Sequence, residues 1–536
     1  MEQRKILKSR LYLYLTEFFA GISVMAVELG ASRLLAPYFS SSQIVWTIII
    51  GTIMISMALG NIYGGRSADK HPNPDRLYLR ILIAAIWIAA IPAVGKYVIL
   101  GLSALIVFTV NSNYLIWAAF ASCFLLFVFP LFLLGTVTPS LVKYTVSSLE
   151  HSGRTVGMLN AFNTIGSIIG TFLPTFVTIP AVGTSVTFLI FSGVLLVIAL
   201  IYFMSGRSTG KRLIAGCLIF ALCCAFGHDT SFAFWENNLT YEGESVYNYL
   251  QVKEDRQNVI LSTNVLFGVQ SILRKDHTLS GMYYDYAMTA PLMAGVHERD
   301  HLDALILGMG TGTYAMQCRR YFPNLTIEGV EIDEKIIDLS RHYFDLPDEV
   351  SVTAYDGRAW LTAVKDQYDV IMVDAYQDIT IPFQMSSQEF FTLVREHLRE
   401  NGVMVVNMNM RGDQEGSINQ YLADTIASVF PSVWTVDVNG YTNQELFASA
   451  VEGDAALERL ERNLDQEPDE ALRTLLGEVR ARLEPYQAGT HILTDDRAPV
   501  ELLGMRVMDS LIRDEVAYYK GIYEREGVSG LLDRLE

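Results

Sequence analysis

The chain has 536 residues, 51% of them hydrophobic and 18% charged, with a positive mean hydropathy. That is too long for one ordinary domain and too apolar for a wholly water-soluble protein. The formal charge of −18 is unevenly spread: residues 1–229 hold 15 Lys/Arg against 7 Asp/Glu, and the remainder holds 25 against 51. The acidic excess of the second part excludes a basic nucleic-acid binder and suits polycationic partners.

In chain order, apolar segments of roughly 20 residues, each able to cross a bilayer, occur near 11–32, 43–64, 78–100, 113–137, 156–180 and 183–204. The first carries no small-residue cleavage pattern and reads as a membrane helix, so residues 1–229 form a multi-pass α-helical membrane domain. Basic residues cluster at Arg4, Lys5, Lys8 and Arg10, at Arg66, Lys70, Arg76 and Arg80, at Lys143 and Arg154, and at Arg207, Lys211 and Arg212. Placing these clusters inside leaves only Arg33 and Lys96 outside, which predicts a cytoplasmic amino terminus and location in the cell membrane.

Residues 212–227 (RLIAGCLIFALCCAFG) are apolar but short, reaching ~24 Å as a helix. We read them as a re-entrant or interfacial segment, which keeps the following domain cytoplasmic; a full crossing would put it outside. Glu17 and Glu28 lie about three turns apart on one face of the first span. Either they mark a proton or cation path, or Glu17 sits at the interface and Glu28 pairs with Arg33. Gly166 and Gly170 have the spacing that lets a neighbouring helix approach closely. The five cysteines show no metal-ligand spacing and read as reduced packing residues, with no zinc site.

Residues 230–295 begin with short β-branched runs and predict a small β-rich part. From 296 onward strands and helices alternate. Residues 304–312 (ALILGMGTG) form an apolar strand ending in Gly308, Gly310, Thr311 and Gly312 before a helix, a turn in which the backbone can approach a ligand closely. The next strand, 325–333 (LTIEGVEID), ends in Glu331, where a carboxylate suits the two hydroxyls of a ribose. Two further strands, VSVTAYDG at 350–357 and YDVIMVD at 368–374, end in Asp356, followed by Gly357, and in Asp374. Acids at three successive strand ends surround one crevice and point to a nucleoside-containing ligand, either a dinucleotide or an adenosyl sulfonium. Residues 452–488 read as a charged helical insertion with Leu457, Leu460 and Leu464 on one apolar face. Phe383, Phe390 and Phe391 read mostly as core, and His277 and His301 receive no chemistry.

Here the residues carry a resemblance. The stretch from about Trp235 to Glu501 resembles the spermidine synthase (polyamine aminopropyltransferase) family, and the whole chain resembles its membrane-fused branch. The resemblance rests on YEGESVY at 241–247, Gln270, Tyr284, the glycine turn, VEID at 330–333, DGRAWL at 356–361, Asp374, IP at 381–382, EFF at 389–391 and LTDDRAPVE at 493–501. It implies a seven-stranded Rossmann-like, class I methyltransferase-like sheet preceded by a small β-domain, and a homodimer. It also implies a metal-free reaction in which decarboxylated S-adenosylmethionine donates an aminopropyl group to an amine such as putrescine. By family position Glu331 holds the ribose, Asp356 the adenine, and Asp374 accepts the amine's proton, while Tyr247, Gln270 and Tyr284 line the pocket; Tyr376 belongs with the three phenylalanines to an aromatic set that offers the amine pocket a wall.

Three departures stand out. The glycine turn carries Thr311 where the family usually has an Asp, Asp285 follows Tyr284 and can restore the missing charge, and the second acid after Asp374 is displaced to Asp378. Thr311 would tolerate the extra carboxylate of ordinary S-adenosylmethionine, so methyl transfer or other sulfonium chemistry is the alternative. A polyamine sensor or transporter is the third reading.

Overall fold

A computed structural model of the chain describes residues 5–110, 112–145, 152–206, 210–229, 231–236, 238–265, 269–376, 381–410 and 415–532. It forms two compact units, Met1–Trp235 with Gly243–Tyr249, and Glu236–Glu242 with Leu250–Glu536.

The first unit is helical: α1 (Arg10–Phe39), α2 (Gln43–Lys70), α3 (Pro74–Thr109), α4 (Tyr114–Gly135), α5 (Val137–Thr145), α6 (Ser152–Leu173), α7 (Ile179–Met204) and α8 (Lys211–Gly227). Side-chain caps start the first three, with Ser9, Ser42 and Asn73 accepting from Tyr12, Val45 and Asp75 backbone N–H groups. Among the described residues five helical stretches are long and apolar enough to cross a membrane by length and composition, against the six expected. The difference lies at the last pair. A π-helical turn at Pro174–Thr178 links α6 to α7 in one run of 52 residues, and Gly183 (φ 77°) bends it where the sequence suggests a break. The segment expected at 212–227 is a shorter apolar helix.

Gly166 and Gly170 do bring two helices together, because a Cβ on either would lie 2.1 Å and 2.3 Å from the carbonyl oxygens of Phe18 and Ile22 on α1. Glu17 is fully buried, with one carboxylate oxygen accepting from Thr138 Oγ1 (2.5 Å) and Asn163 Nδ2 (2.8 Å). Glu17 therefore lies inside the helical unit, bonded to side chains of α5 and α6.

Residues 243–249 belong to this unit for a physical reason that a boundary at residue 229 misses. Arg33 donates to the carbonyls of Ser245 and Val246, and the Glu244 carboxylate accepts from the Thr184 N–H (2.8 Å) and hydroxyl (2.7 Å).

A four-stranded sheet follows in the order β1–β2–β3–β4 (Leu239–Glu244, Tyr249–Glu254, Asn258–Ser262, Ser271–Arg274), all but residues 243, 244 and 249 of it counted in the second unit, then two short helices, α9 (Tyr283–Ala287) and α10 (Thr289–Met293). Alternating elements follow: β5 (Leu302–Leu307), α11 (Thr313–Tyr321), β6 (Leu325–Glu331), α12 (Glu334–Tyr343), β7 (Ser351–Ala354), α13 (Gly357–Ala363), β8 (Tyr368–Val373), α14 (Gln388–Glu396), β9 (Leu398–Met408) and α15 (Ile418–Ala427). The chain closes with β10 (Ser432–Asp437), β11 (Gln444–Ser449), α16 (Ala455–Gln466), α17 (Glu470–Arg482), β12 (Glu484–Pro485) and α18 (Val500–Leu532).

Among the described residues the large sheet has eight strands rather than seven, ordered β12–β10–β11–β9–β8–β5–β6–β7. The extra strand is the two-residue β12, which pairs with Trp434 and Thr435 at the edge. Strands β7, β6, β5, β8 and β9 are parallel and β11 and β10 antiparallel. All six residues of β8 are buried, as a strand covered on both faces requires. The 452–488 insertion is less solvated than its charge suggests. Leu460, Leu464, Leu472, Leu476 and Val479 are buried in the same core as β5 and α10, with Leu457 packed against it.

Candidate active site

The central strand β5 has β6 on one side and β8 on the other, so the carboxyl ends of these strands flank a crevice at the point where the chain's direction of winding reverses. Gly308, Gly310 and Gly312 all have positive φ. At Gly308 the reason is spatial as well as conformational: a Cβ there would lie 2.6 Å from the carbonyl oxygen of Asp374. The turn after β5 thus packs directly on the backbone at the end of β8. Thr311 is fully buried, its hydroxyl 3.1 Å from that of Thr313, so no carboxylate stands in this turn.

Glu331, the last residue of β6, is 7% exposed and accepts from the N–H groups of Gly310 (2.9 Å) and Asp333 (3.1 Å). Burial raises its carboxyl above the ordinary range, while these two donors pull the other way. Asp356 caps α13, accepting from the Ala359 N–H at 2.8 Å, and Gly357 begins that helix. Asp374 follows β8 directly and keeps some exposure. Its two oxygens accept from Tyr283 Oη (2.8 Å) and Asn407 Nδ2 (2.9 Å), and Asn443 in turn donates to Asn407 Oδ1 (2.8 Å). Desolvation pushes the Asp374 carboxyl up to about 7, with the two donors opposing and the charge of Glu331 reinforcing the shift. A carboxylate with that affinity for protons is suited to take one from an ammonium group near neutral pH.

The remaining predicted residues are distributed as follows. Tyr284 is buried and accepts from the Ile272 N–H (3.1 Å), which ties α9 to β4. Asp285 is also fully buried, and one oxygen accepts from the Gly281 N–H (2.6 Å) and Ser280 Oγ (3.1 Å); burial raises its carboxyl. Gln270 is part-exposed, its N–H on the Leu261 carbonyl. Tyr376 is buried, donating to the Met385 carbonyl (2.8 Å). Tyr247 is about half exposed, in the stretch that belongs to the first unit. Asp378 lies outside the described residues. Phe390 and Phe391 are core, whereas Phe383 is exposed.

Two residues that meet Asp374 escaped the sequence reading, Tyr283 and Asn407. Three tyrosines fall within 283–286, and in a helix this short no periodicity tells which one faces the acid. Asn407 did leave a trace, as a polar residue interrupting the apolar run of β9 at the end that lies beside β8.

The family model of the spermine/spermidine synthase domain matches residues 282–449. A "probable polyamine aminopropyl transferase" of Bifidobacterium longum is 54% identical over 349 residues, covering 62% of this chain and 77% of that protein. This chain belongs to the polyamine aminopropyltransferase family. It is therefore a transferase. A polyamine aminopropyltransferase of Clostridium beijerinckii is 27% identical over 146 residues, covering 26% of this chain and 49% of the relative. Among solved structures, spermidine synthase from Thermotoga maritima matches 46% of this chain and 83% of its own at 18% identity and a TM-score of 0.37.

Proposed function

We propose that this family member transfers an aminopropyl group from decarboxylated S-adenosylmethionine to a small diamine such as putrescine, at the surface of a membrane. The observation that carries the reading is the Asp374 carboxylate, held by Tyr283 and Asn407 and backed onto the glycine turn. Glu331 and Asp356 would receive the adenosyl ribose and base, and Gln270 with Tyr376 would bound the pocket. The acceptor nitrogen attacks the aminopropyl carbon, the C–S bond breaks with its electron pair going to sulfur, and methylthioadenosine leaves. Asp374 accepts the proton that the amine must lose. Because the sulfonium is already activated, the protein's contribution is to hold an unprotonated amine in line with the C–S bond. Tyr247, Asp285 and Asp378 are further candidates for amine or donor contacts. The first unit's five long apolar stretches support insertion in a bilayer. The distribution of basic residues supports a cytoplasmic amino terminus, and the cytoplasmic origin of the donor supports a second unit on the same side.

One observation favours a second donor. The buried Thr311 offers no carboxylate to the propylamine nitrogen, which suits ordinary S-adenosylmethionine and methyl transfer. Mass spectrometry of products from the detergent-purified chain, given both donors with putrescine, spermidine or membrane lipids, separates the two. Methylthioadenosine with an acceptor gaining an aminopropyl group is the expected result; S-adenosylhomocysteine would replace the reading with methyl transfer.

A further inference from the structure

A second carboxyl group stands on the same face of the sheet as Asp374. On the parallel side Val373 pairs with Val406, which puts Asp374 beside Asn407; on the antiparallel side Asn407 pairs with Glu445. Residues paired across neighbouring strands project to the same face, and the Asn407 bond to Asp374 agrees with that. Asp374, Asn407 and Glu445 therefore form a row across three adjacent strands, with roughly 10 Å of backbone separation from end to end.

Glu445 is unlike every other acid in this region. It is fully buried, and among the described residues neither carboxylate oxygen has a hydrogen-bond partner and no cation pairs with it. Glu331 and Asp356, by contrast, are bound by backbone N–H groups. Burial and the nearby Asp374 together hold the Glu445 carboxyl well above its ordinary range, in surroundings that include Tyr283 and Tyr314. A buried carboxyl with two unsatisfied oxygens destabilises the empty protein and is expected at a position where a ligand completes it.

We propose that Glu445 is a specificity-determining residue that binds the second ammonium of a diamine or polyamine acceptor whose reacting nitrogen lies at Asp374. This rests on the aminopropyl-transfer reading for the role of Asp374, and goes beyond it in saying why the acceptor carries two nitrogens. A monoamine can satisfy only one end of the row.

Calorimetric binding of putrescine and of butylamine to the full-length purified chain tests this without requiring turnover. The wild type should bind putrescine at least about tenfold more tightly than butylamine, the effect of one charge-assisted hydrogen bond. Glu445→Gln should bring the two affinities together while leaving butylamine unchanged. Equal weakening of both amines, or an undiminished preference, would overturn the assignment. Should the Gln variant fail to fold, Glu445→Asp keeps the charge one methylene further away; a reduced preference supports the role and an unaltered one removes it. Diamine selectivity without aminopropyl transfer would sink the catalytic reading and leave the binding role standing.

Discussion

The two walls of the crevice differ in how their acids are satisfied. On the side of β6 and β7, Glu331 and Asp356 are engaged by backbone N–H groups of the turns and helix they adjoin. On the side of β8, β9 and β11, Asp374 is held by two side chains and Glu445 by none among the described residues. Backbone donors are fixed by the fold, so the first wall is preorganised. Side-chain donors can change with the ligand, and the second wall has proton affinity to spare. The contrast is what a reaction with one fixed cationic donor and one titrating amine would use.

The contrast can be broken first at Asp374. Asp374→Asn keeps the shape and removes the base, so kcat should fall by about 10²–10⁴ while calorimetric binding of decarboxylated S-adenosylmethionine is nearly unaltered. An undiminished kcat would remove Asp374 from catalysis. Next, Glu331→Gln should raise the donor KM about tenfold with little effect on the amine KM, since it weakens only the first wall. Gly308→Ala strikes both walls at once. Its Cβ meets the Asp374 carbonyl at 2.6 Å with φ at 87°, and the melting temperature should drop by the equivalent of about 1–3 kcal/mol. A stable Ala variant would show that the turn and the β8 end are not in contact.

The smallest effect sharpens the comparison. With Asp374 pushed up to about 7, kcat/KM in the free enzyme should climb as pH rises through that value, because only the ionised carboxylate accepts a proton. The Tyr283 hydroxyl favours the ionised form, so Tyr283→Phe should move this limb to higher pH and cost severalfold in rate at pH 7, with recovery at alkaline pH. A limb that moves down or stays in place would show that Tyr283 does not tune the acid. The same shift has a consequence for stability. Its folded-state value lies above the ordinary range, so the contribution of Asp374 is fully present at low pH and is lost as pH rises towards 7.

Much of the second unit was legible because its strands are short, apolar and end in residues with special roles. Four of the parallel strands, β5 to β8, and the three acids at their ends were readable from runs such as YDVIMVD, whereas β9 was not singled out. What was not legible depends on approach across elements distant in sequence. The orientation of Tyr283 is settled by a hydrogen bond spanning 91 residues and that of Asn407 by one spanning 33. Nothing in the run QELFAS singles out Glu445, and it is the pairing with β9 together with its burial that shows it facing inward. In the first unit, apolar length marked the helices well, but the break expected between 180 and 183 is a bend within one continuous helical run. One glycine backbone angle makes the corner there, with no polar segment to announce it.

The two margins of the large sheet also bear on how copies of this chain can meet. One margin is the four-residue β7; the other is β12, two residues long and ending in Pro485, which has no N–H to offer. Short margins and a proline withhold the row of free backbone groups on which a foreign strand would zip up. Self-association of this unit is thereby steered away from edge-to-edge sheet extension, the route that leads towards fibrils, and towards contacts between side-chain surfaces.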